Sequence, residues 1–592
     1  MSRPEPAKPR MPAPVLWLGW CLVVALGYLF GLGGDHIPRN GDELVYAHIA
    51  RLTAESGHWL PLVSSYDFMR NTKPPLLFWQ AMLAGGWGEH WTLLNLRLPS
   101  VLYVWATAAM AGLLTWKIVA NDGREPAARP RQHARDARVM GAIAAIVYLS
   151  FFSTYRYGRP YLTSAPETFW LGSAFFAIAW SPVKLLASRW TFPLLAGLAI
   201  GTGCLYKSFA MVAPVGLGLA LCYQSVGAGQ APWRIFRPGI VIDGIKVAAI
   251  CAIALAVFAL WFVLDPLPGE VWREFVVGEN AGKFKSSPGY LKQAFSGSGG
   301  ILVILTGYFV NAGLLFPLAV GCAWTAWRSH RLARAASQRV SAAEKVMWLW
   351  LLALALVFML PDQRSARYLI AAMPAVAVLI ALYWQRMARI WFTLTLAFCL
   401  LGALAMGLIG YGAVRATQDA GVYSPLFWLF LLLIAMACAV GAARKELTRP
   451  MTAVAGFAVL FALAWVTSPF NGPLGHFKAA TVAAMQGQTI SVPNNFNGQF
   501  ERYQFLLKGA KIIPYAAPQP VDYTDVNALF KTSRYALVLR RIGQPPCEPC
   551  RVLDVRWDLR SRQDPQEGSW AAITSPETFW YAREYLVERV GP

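Results

Sequence analysis

The run Arg39-Asn-Gly-Asp42-Glu43-Leu-Val-Tyr46-Ala-His48-Ile-Ala puts two adjacent carboxylates at the start of a helical pattern. Leu44, Ala47, Ile49 and Leu52 recur on one stripe, with Asn40 or Asp42 placed to cap its start. A carboxylate there either takes a proton from an acceptor hydroxyl or only favours the positive end of the helix dipole. Lys73 stands before Pro74 and Pro75, whose fixed backbone leads into Leu76-Leu-Phe-Trp79. An ammonium held at that surface clamps a phosphate or simply snorkels, and Arg97 poses the same alternatives. In Trp272–Phe284, an interfacial face of Trp272, Phe275 and Val276 accompanies Glu279 and Lys283, spaced as an i,i+4 ion pair. The short segment Asp362–Tyr368 offers Arg364 and Arg367, whose guanidinium forks suit a phosphate, followed by Tyr368. Lys207 lies in or beside an apolar run, a costly position that suits either a site role or an interfacial anchor. If these segments meet, carboxylates and cations flank one site at a bilayer surface. Such a site suits a reaction in which an acceptor is deprotonated while a lipid phosphate departs.

The elements that must position these residues are membrane spans. Of 592 residues, 56% are hydrophobic and only 14% charged, too few polar groups to cover a soluble protein with this much apolar helix. We expect an all-α polytopic membrane protein of thirteen spans, the first near 13–33 and the last near 452–468, with 191–207 and 208–224 either two spans or one bent one. The net charge of +22 falls mainly in short loops on one side, as orientation in a membrane requires, so nucleic acid is not the expected partner. The opposite side receives the loops 34–97 and 265–300 and the segment 469–592. That division gives a transmembrane domain over 1–468 and a small α/β domain over 469–592, the latter with strand-like runs at Tyr535–Leu539 and Val552–Trp557. Cys547 and Cys550 are expected to form a local disulfide in an oxidising compartment. His36, His48, His58 and His90 share the first outer loop without an HExxH spacing, so they read as loop histidines; no metal ligand is assigned, and a divalent metal stays open. No glycine-rich phosphate loop of the P-loop type is present.

Taken in order, these segments resemble the GT-C glycosyltransferases that draw sugars from polyprenyl phosphates. Within that group they resemble bacterial lipid A 4-amino-4-deoxy-L-arabinose transferases and their relatives among protein O-mannosyltransferases. It covers roughly the first 385 residues, through Asp42–Ala50, Lys73–Trp79, Arg97-Leu-Pro-Ser, Gly203-x-x-x-Lys207, the Phe275–Phe284 pattern, and Arg367-Tyr368 with Pro374 beyond. The resemblance implies that Asp42 is the base or acceptor-orienting group, and that Lys73, Lys283 and Tyr368 hold the carrier phosphate, with Arg97 and Arg367 as further candidates. It implies an undecaprenyl-phosphate sugar as donor and lipid A, another envelope glycan or a protein as acceptor. Direct displacement at the anomeric carbon would invert its stereochemistry, and the expected site faces the periplasm from the bacterial inner membrane. Transfer of aminoarabinose is the leading specific expectation. Two positions depart from the pattern: Thr72 stands where relatives have Glu, and Ser164 aligns with a second Asp. Glu167, about one turn later, is the candidate replacement, with Glu43 a further acid. Protein O-glycosyl transfer on the same fold, a lipid-linked sugar transporter or flippase, and a non-catalytic envelope-assembly protein are the competing readings.

Overall fold

The computed structural model describes residues 14–38, 41–65, 70–121, 130–226, 239–281, 295, 299–335, 340–494, 499–516, 529–560, 568 and 570–590. Lys283, Phe284, Arg39 and Asn40 lie outside the described residues.

Helix occupies each of the thirteen expected stretches, but among the described residues seven helices are long and apolar enough to cross a bilayer, or eight if a bent pair counts as one. Length is the reason for the shortfall. The helix Thr191–Cys204 has 14 residues, about 21 Å at 1.5 Å per residue, against a hydrocarbon core of about 30 Å. The stretch expected as one span at 139–156 is a bent pair of helices, Pro130–Leu149 and Phe152–Gly158, meeting at 60° because Phe151 is extended. At 191–224, two separate helices, Thr191–Cys204 and Val212–Ser225, flank a turn that carries Lys207. Close packing uses small residues, as expected where lipid supplies no hydrophobic drive between helices. A Cβ at Gly197 would lie 2.7 Å from the Ile253 side chain, and one at Gly201 2.6 Å from Val257, so this glycine pair lets Thr191–Cys204 press against Ile240–Leu264.

The segment after Thr467 forms a five-stranded sheet of order β2-β1-β3-β5-β4. Strands β1 (Thr489–Asn494), β2 (Lys511–Ala516) and β3 (Tyr535–Arg541) are parallel. Strand β5 (Tyr581–Arg589) pairs antiparallel with β3, and β4 (Cys550–Leu559) pairs antiparallel with β5 at the sheet edge. The disulfide Cys547–Cys550 closes the turn into β4. Tyr581 donates its hydroxyl to the Ile409 carbonyl at 2.7 Å, fastening this unit to the long helix Arg389–Thr417.

Candidate active site

The first acidic helix, α2 (Asp42–Glu55), starts after Gly41 without a side-chain cap, so Asp42 and Glu43 occupy its first turn rather than capping it. Its expected single apolar stripe is not what the fold uses: every residue from Glu43 to Ala50 is buried, because α2 is covered on several sides. The two carboxylates part company there. Asp42 stays partly exposed, at 31%, and accepts a hydrogen bond from Arg367 Nη2 at 3.1 Å. Glu43 is buried against Arg97, which donates Nε at 2.7 Å and Nη2 at 3.0 Å to its two oxygens. Arg97 Nη1 also donates to the carbonyls of Leu32 and Gly34 at 2.7 and 2.6 Å, and the Tyr161 amide donates to Glu43 at 2.9 Å. With no exposed surface and its fork spent internally, Arg97 holds the start of α2 in place and does not face a phosphate; Glu43 likewise holds the fold rather than meeting a substrate.

Lys73 is brought to the same end of the bundle by a zipper. Arg70 pairs with Glu270, Asn71 donates its amide and side-chain nitrogen to Glu274 at 3.1 and 3.0 Å, and Lys73 Nζ donates to Glu279 at 3.3 Å. The glutamates belong to the helical stretch Pro268–Asn280, whose part Trp272–Asn280 is wound as a π-helix. Its i→i+5 period puts Glu274 and Glu279 on one face. Lys283, spaced for an i,i+4 pair with Glu279, lies outside the described residues; Glu279 does meet Lys73, 206 residues away. Lys73 Nζ also lies 5.9 Å from the centre of the Tyr46 ring. Burial first, and then the nearby Asp42, push the Tyr46 phenol well above its ordinary range, so it keeps its proton.

Lys207 donates to Glu167 Oε2 at 2.7 Å, and the adjoining Ser208 donates to Asn280 at 2.7 Å, tying this turn to the π-wound helix. Glu167 is 1% exposed, in the first turn of the helix Ser164–Trp180, and the charge of Arg367 acts on it as well as on Asp42. Ser164 opens the same helix and accepts a bond from Thr168 at its carbonyl. Tyr368 is partly buried, its ring 5.0 Å from that of Phe358. Arg364, expected beside Arg367 at a phosphate, is buried and donates to the carbonyls of Met359 and Gly299 at 2.8 and 3.2 Å, joining its loop to the end of the 265–300 segment.

Three carboxylate–cation pairs thus gather around one region: Asp42–Arg367, Glu279–Lys73 and Glu167–Lys207. Asp42 is the acid in the first turn of α2 that an incoming hydroxyl can reach, and the three cations can meet an anion if their partners yield. A second cluster, Asp35, His36 and Asp558, brings potential metal-ligating atoms within 4.8 Å of one another. Its charges are already met: Arg502 lies 2.9 Å from both Asp35 and Asp558, and Arg556 lies 3.8 Å from Asp558. The donor set therefore fits an ionic dock better than a divalent ion, which would sit against two guanidinium groups. Sequence reasoning missed this dock and the zipper alike, since each joins residues far apart in the chain.

No family model matches the chain. It is 26% identical over 381 residues to the undecaprenyl phosphate-alpha-4-amino-4-deoxy-L-arabinose arabinosyl transferase 1 of Sodalis glossinidius (strain morsitans). That match takes in 63% of this chain and 60% of that protein, so the chain spans less than two thirds of the relative's length. Its fold is similar to that of ArnT from Cupriavidus metallidurans. The crystal structure of that protein bound to undecaprenyl phosphate superposes with a TM-score of 0.59 at 17% identity, over 98% of this chain and 99% of the other. The apo crystal structure gives a TM-score of 0.54 at the same identity and coverage. The architecture, a multi-pass helical membrane protein with a small C-terminal sheet unit, is therefore shared along the whole chain.

Proposed function

We propose that this chain is an inverting glycosyltransferase. It moves a sugar from undecaprenyl phosphate to an envelope acceptor on the periplasmic face of a bacterial inner membrane. Lipid A is the leading acceptor and 4-amino-4-deoxy-L-arabinose the leading sugar. The observation that carries the reading is the Asp42–Arg367 pair, a partly exposed carboxylate set among Lys73, Lys207 and Arg367 at one end of a membrane bundle. The similarity in sequence to an arabinosyl transferase supports it.

In this mechanism Asp42 takes the proton of the acceptor hydroxyl as its oxygen bonds to the anomeric carbon. The bond from that carbon to the phosphate oxygen breaks, and undecaprenyl phosphate leaves with the electron pair. The phosphate thereby passes from a diester with one negative charge to a monoester with nearly two. Protonated Asp42 no longer holds Arg367, so the guanidinium is freed at the moment negative charge grows on the leaving group. A cation bound more tightly to the transition state than to the resting site raises turnover rather than only affinity. Lys73 and Lys207 supply the standing positive field, with Glu279 and Glu167 as their resting partners.

The test follows radiolabelled sugar from the membrane carrier into envelope fractions, comparing wild type with Asp42→Asn at matched expression. Transfer is expected to fall by about 100-fold or more with carrier binding retained. Normal transfer by Asp42→Asn would move the base elsewhere, to Glu167 first. Label in a protein fraction would replace lipid A as acceptor, and no transfer by wild type would overturn the reading.

A further inference from the structure

The helix that presents Asp42 is gripped twice, from two different parts of the chain. The first grip is Arg97 on Glu43, from within the membrane bundle. The second comes from the sheet unit. Glu501, fully buried, receives Arg51 Nε at 2.5 Å on one oxygen, and Arg51 Nη2 and His48 Nδ1, each at 3.0 Å, on the other. The Ser65 amide points at His48 Nε2 from 3.3 Å and the Ser65 hydroxyl lies 2.8 Å from it. An amide can only donate, so Nε2 accepts and the ring proton sits on Nδ1, facing Glu501. Phe500 closes the contact, its ring 5.1 Å from that of His48.

A buried carboxylate with both oxygens occupied is a poor source of net stability, since desolvation consumes much of the Coulombic gain. What such a group does well is fix one arrangement. His48 and Arg51 lie six and nine residues beyond Asp42, about 9 and 14 Å along the helix axis. Arg51 is also turned about 180° from Asp42 around that axis. The sheet unit thus holds the far side of α2 while Asp42 faces Arg367. A tilt of about 10° over that lever moves the carboxylate by about 2 Å, more than the 1 Å misplacement that can cost a hundredfold in rate.

We propose that Glu501 is a positioning residue for glycosyl transfer: through His48 and Arg51, the C-terminal sheet unit sets the place of the Asp42 helix. This rests on the reading of Asp42 given above. The experiment uses the full chain in lipid nanodiscs as wild type, Glu501→Gln and Glu501→Asp. Amide exchange over 42–55 and over the strands is measured alongside kcat and KM for the carrier-linked sugar. In Glu501→Gln, exchange over 42–55 is expected to rise about tenfold with the strands unchanged. In the same variant kcat should fall about tenfold or more while KM stays within about twofold, and Glu501→Asp should fall between. Faster exchange with unchanged kcat would overturn the positioning role, as would unchanged exchange. If the sheet itself unfolds in Glu501→Gln, Arg51→Lys, which keeps the cation but loses the two-pronged grip, is judged by the same criteria. If wild type transfers no sugar, the functional reading falls, while the exchange arm still decides whether Glu501 holds the helix.

Discussion

Acid should loosen the C-terminal sheet unit, and one histidine should account for it. Burial foremost, with the nearby Arg502 and Arg556, lowers His36 from 6.5 to about 4, against the opposing pull of Asp558 and Asp35. Its backbone is held at the same place, the His36 amide donating to Asn471 at 2.7 Å and Asn471 returning a bond to the His36 carbonyl at 3.0 Å. Between pH 4 and 6.5 the unfolded chain binds a proton on this residue that the folded chain does not, so stability falls as pH falls. At 1.36 kcal/mol per unit, roughly 2 kcal/mol is lost between pH 7 and 5 and roughly 3 kcal/mol by pH 4. Asp558 does not confuse this window. Although burial opposes it, Arg502 and Arg556 hold its carboxyl well below the usual range, so its own contribution disappears only below about pH 4. A loss of about 2 kcal/mol corresponds to a drop of roughly 10 °C in the midpoint of a unit this size. Pulse proteolysis of the sheet unit against temperature, at pH 7 and pH 5, would measure it in nanodiscs. His36→Gln should be flat over the same interval. A wild-type midpoint that does not move, or an equal drop in His36→Gln, would refute the reasoning.

Substitutions at two further residues probe the grip and the site separately. Arg97→Met leaves Glu43 buried and uncompensated, a cost of about 3–5 kcal/mol, and Arg97→Lys cannot rebuild the fork; both should lower the thermal midpoint and yield of folded protein in detergent. Lys73→Met removes a charge-assisted contact of about 1.5–3 kcal/mol and should weaken binding of undecaprenyl phosphate at least tenfold, read by titration, while leaving the thermal midpoint nearly unchanged.

What the sequence makes legible here is whatever its local pattern encodes. Apolar runs mark helices, the acid pair before Leu44 marks a helix start, and Tyr535–Leu539 and Val552–Trp557 mark strands that the sheet contains as β3 and β4. Pairing at long range is invisible to such patterns. Asp42 and Glu43 look equivalent in the chain, yet a guanidinium 54 residues away takes Glu43 out of reach of any substrate while Asp42 stays accessible. The π-winding of Trp272–Asn280 escaped for a different reason: spacing rules for helices assume 3.6 residues per turn, and this helix does not have them.

The same limit explains why residues 469–592 read from the sequence as a small α/β domain with no visible tie to the first outer loop. Its composition is that of an ordinary soluble domain, and nothing in the run around Glu501 advertises a partner in the first outer loop. The structure closes a buried ionic path from that loop into the sheet: Glu501 to His48 and Arg51, Asp35 to Arg502, Arg502 to Asp558, and Arg556 to Glu584 at 2.5 Å. Each of these charges would be costly to bury alone. Together they make docking of the unit and placement of α2 one event. A segment that only covered the site would have little use for ionic contacts this deep, because apolar packing covers as well and avoids the desolvation cost. Ionic contacts fix register, and the helix whose register they fix is the one that carries Asp42.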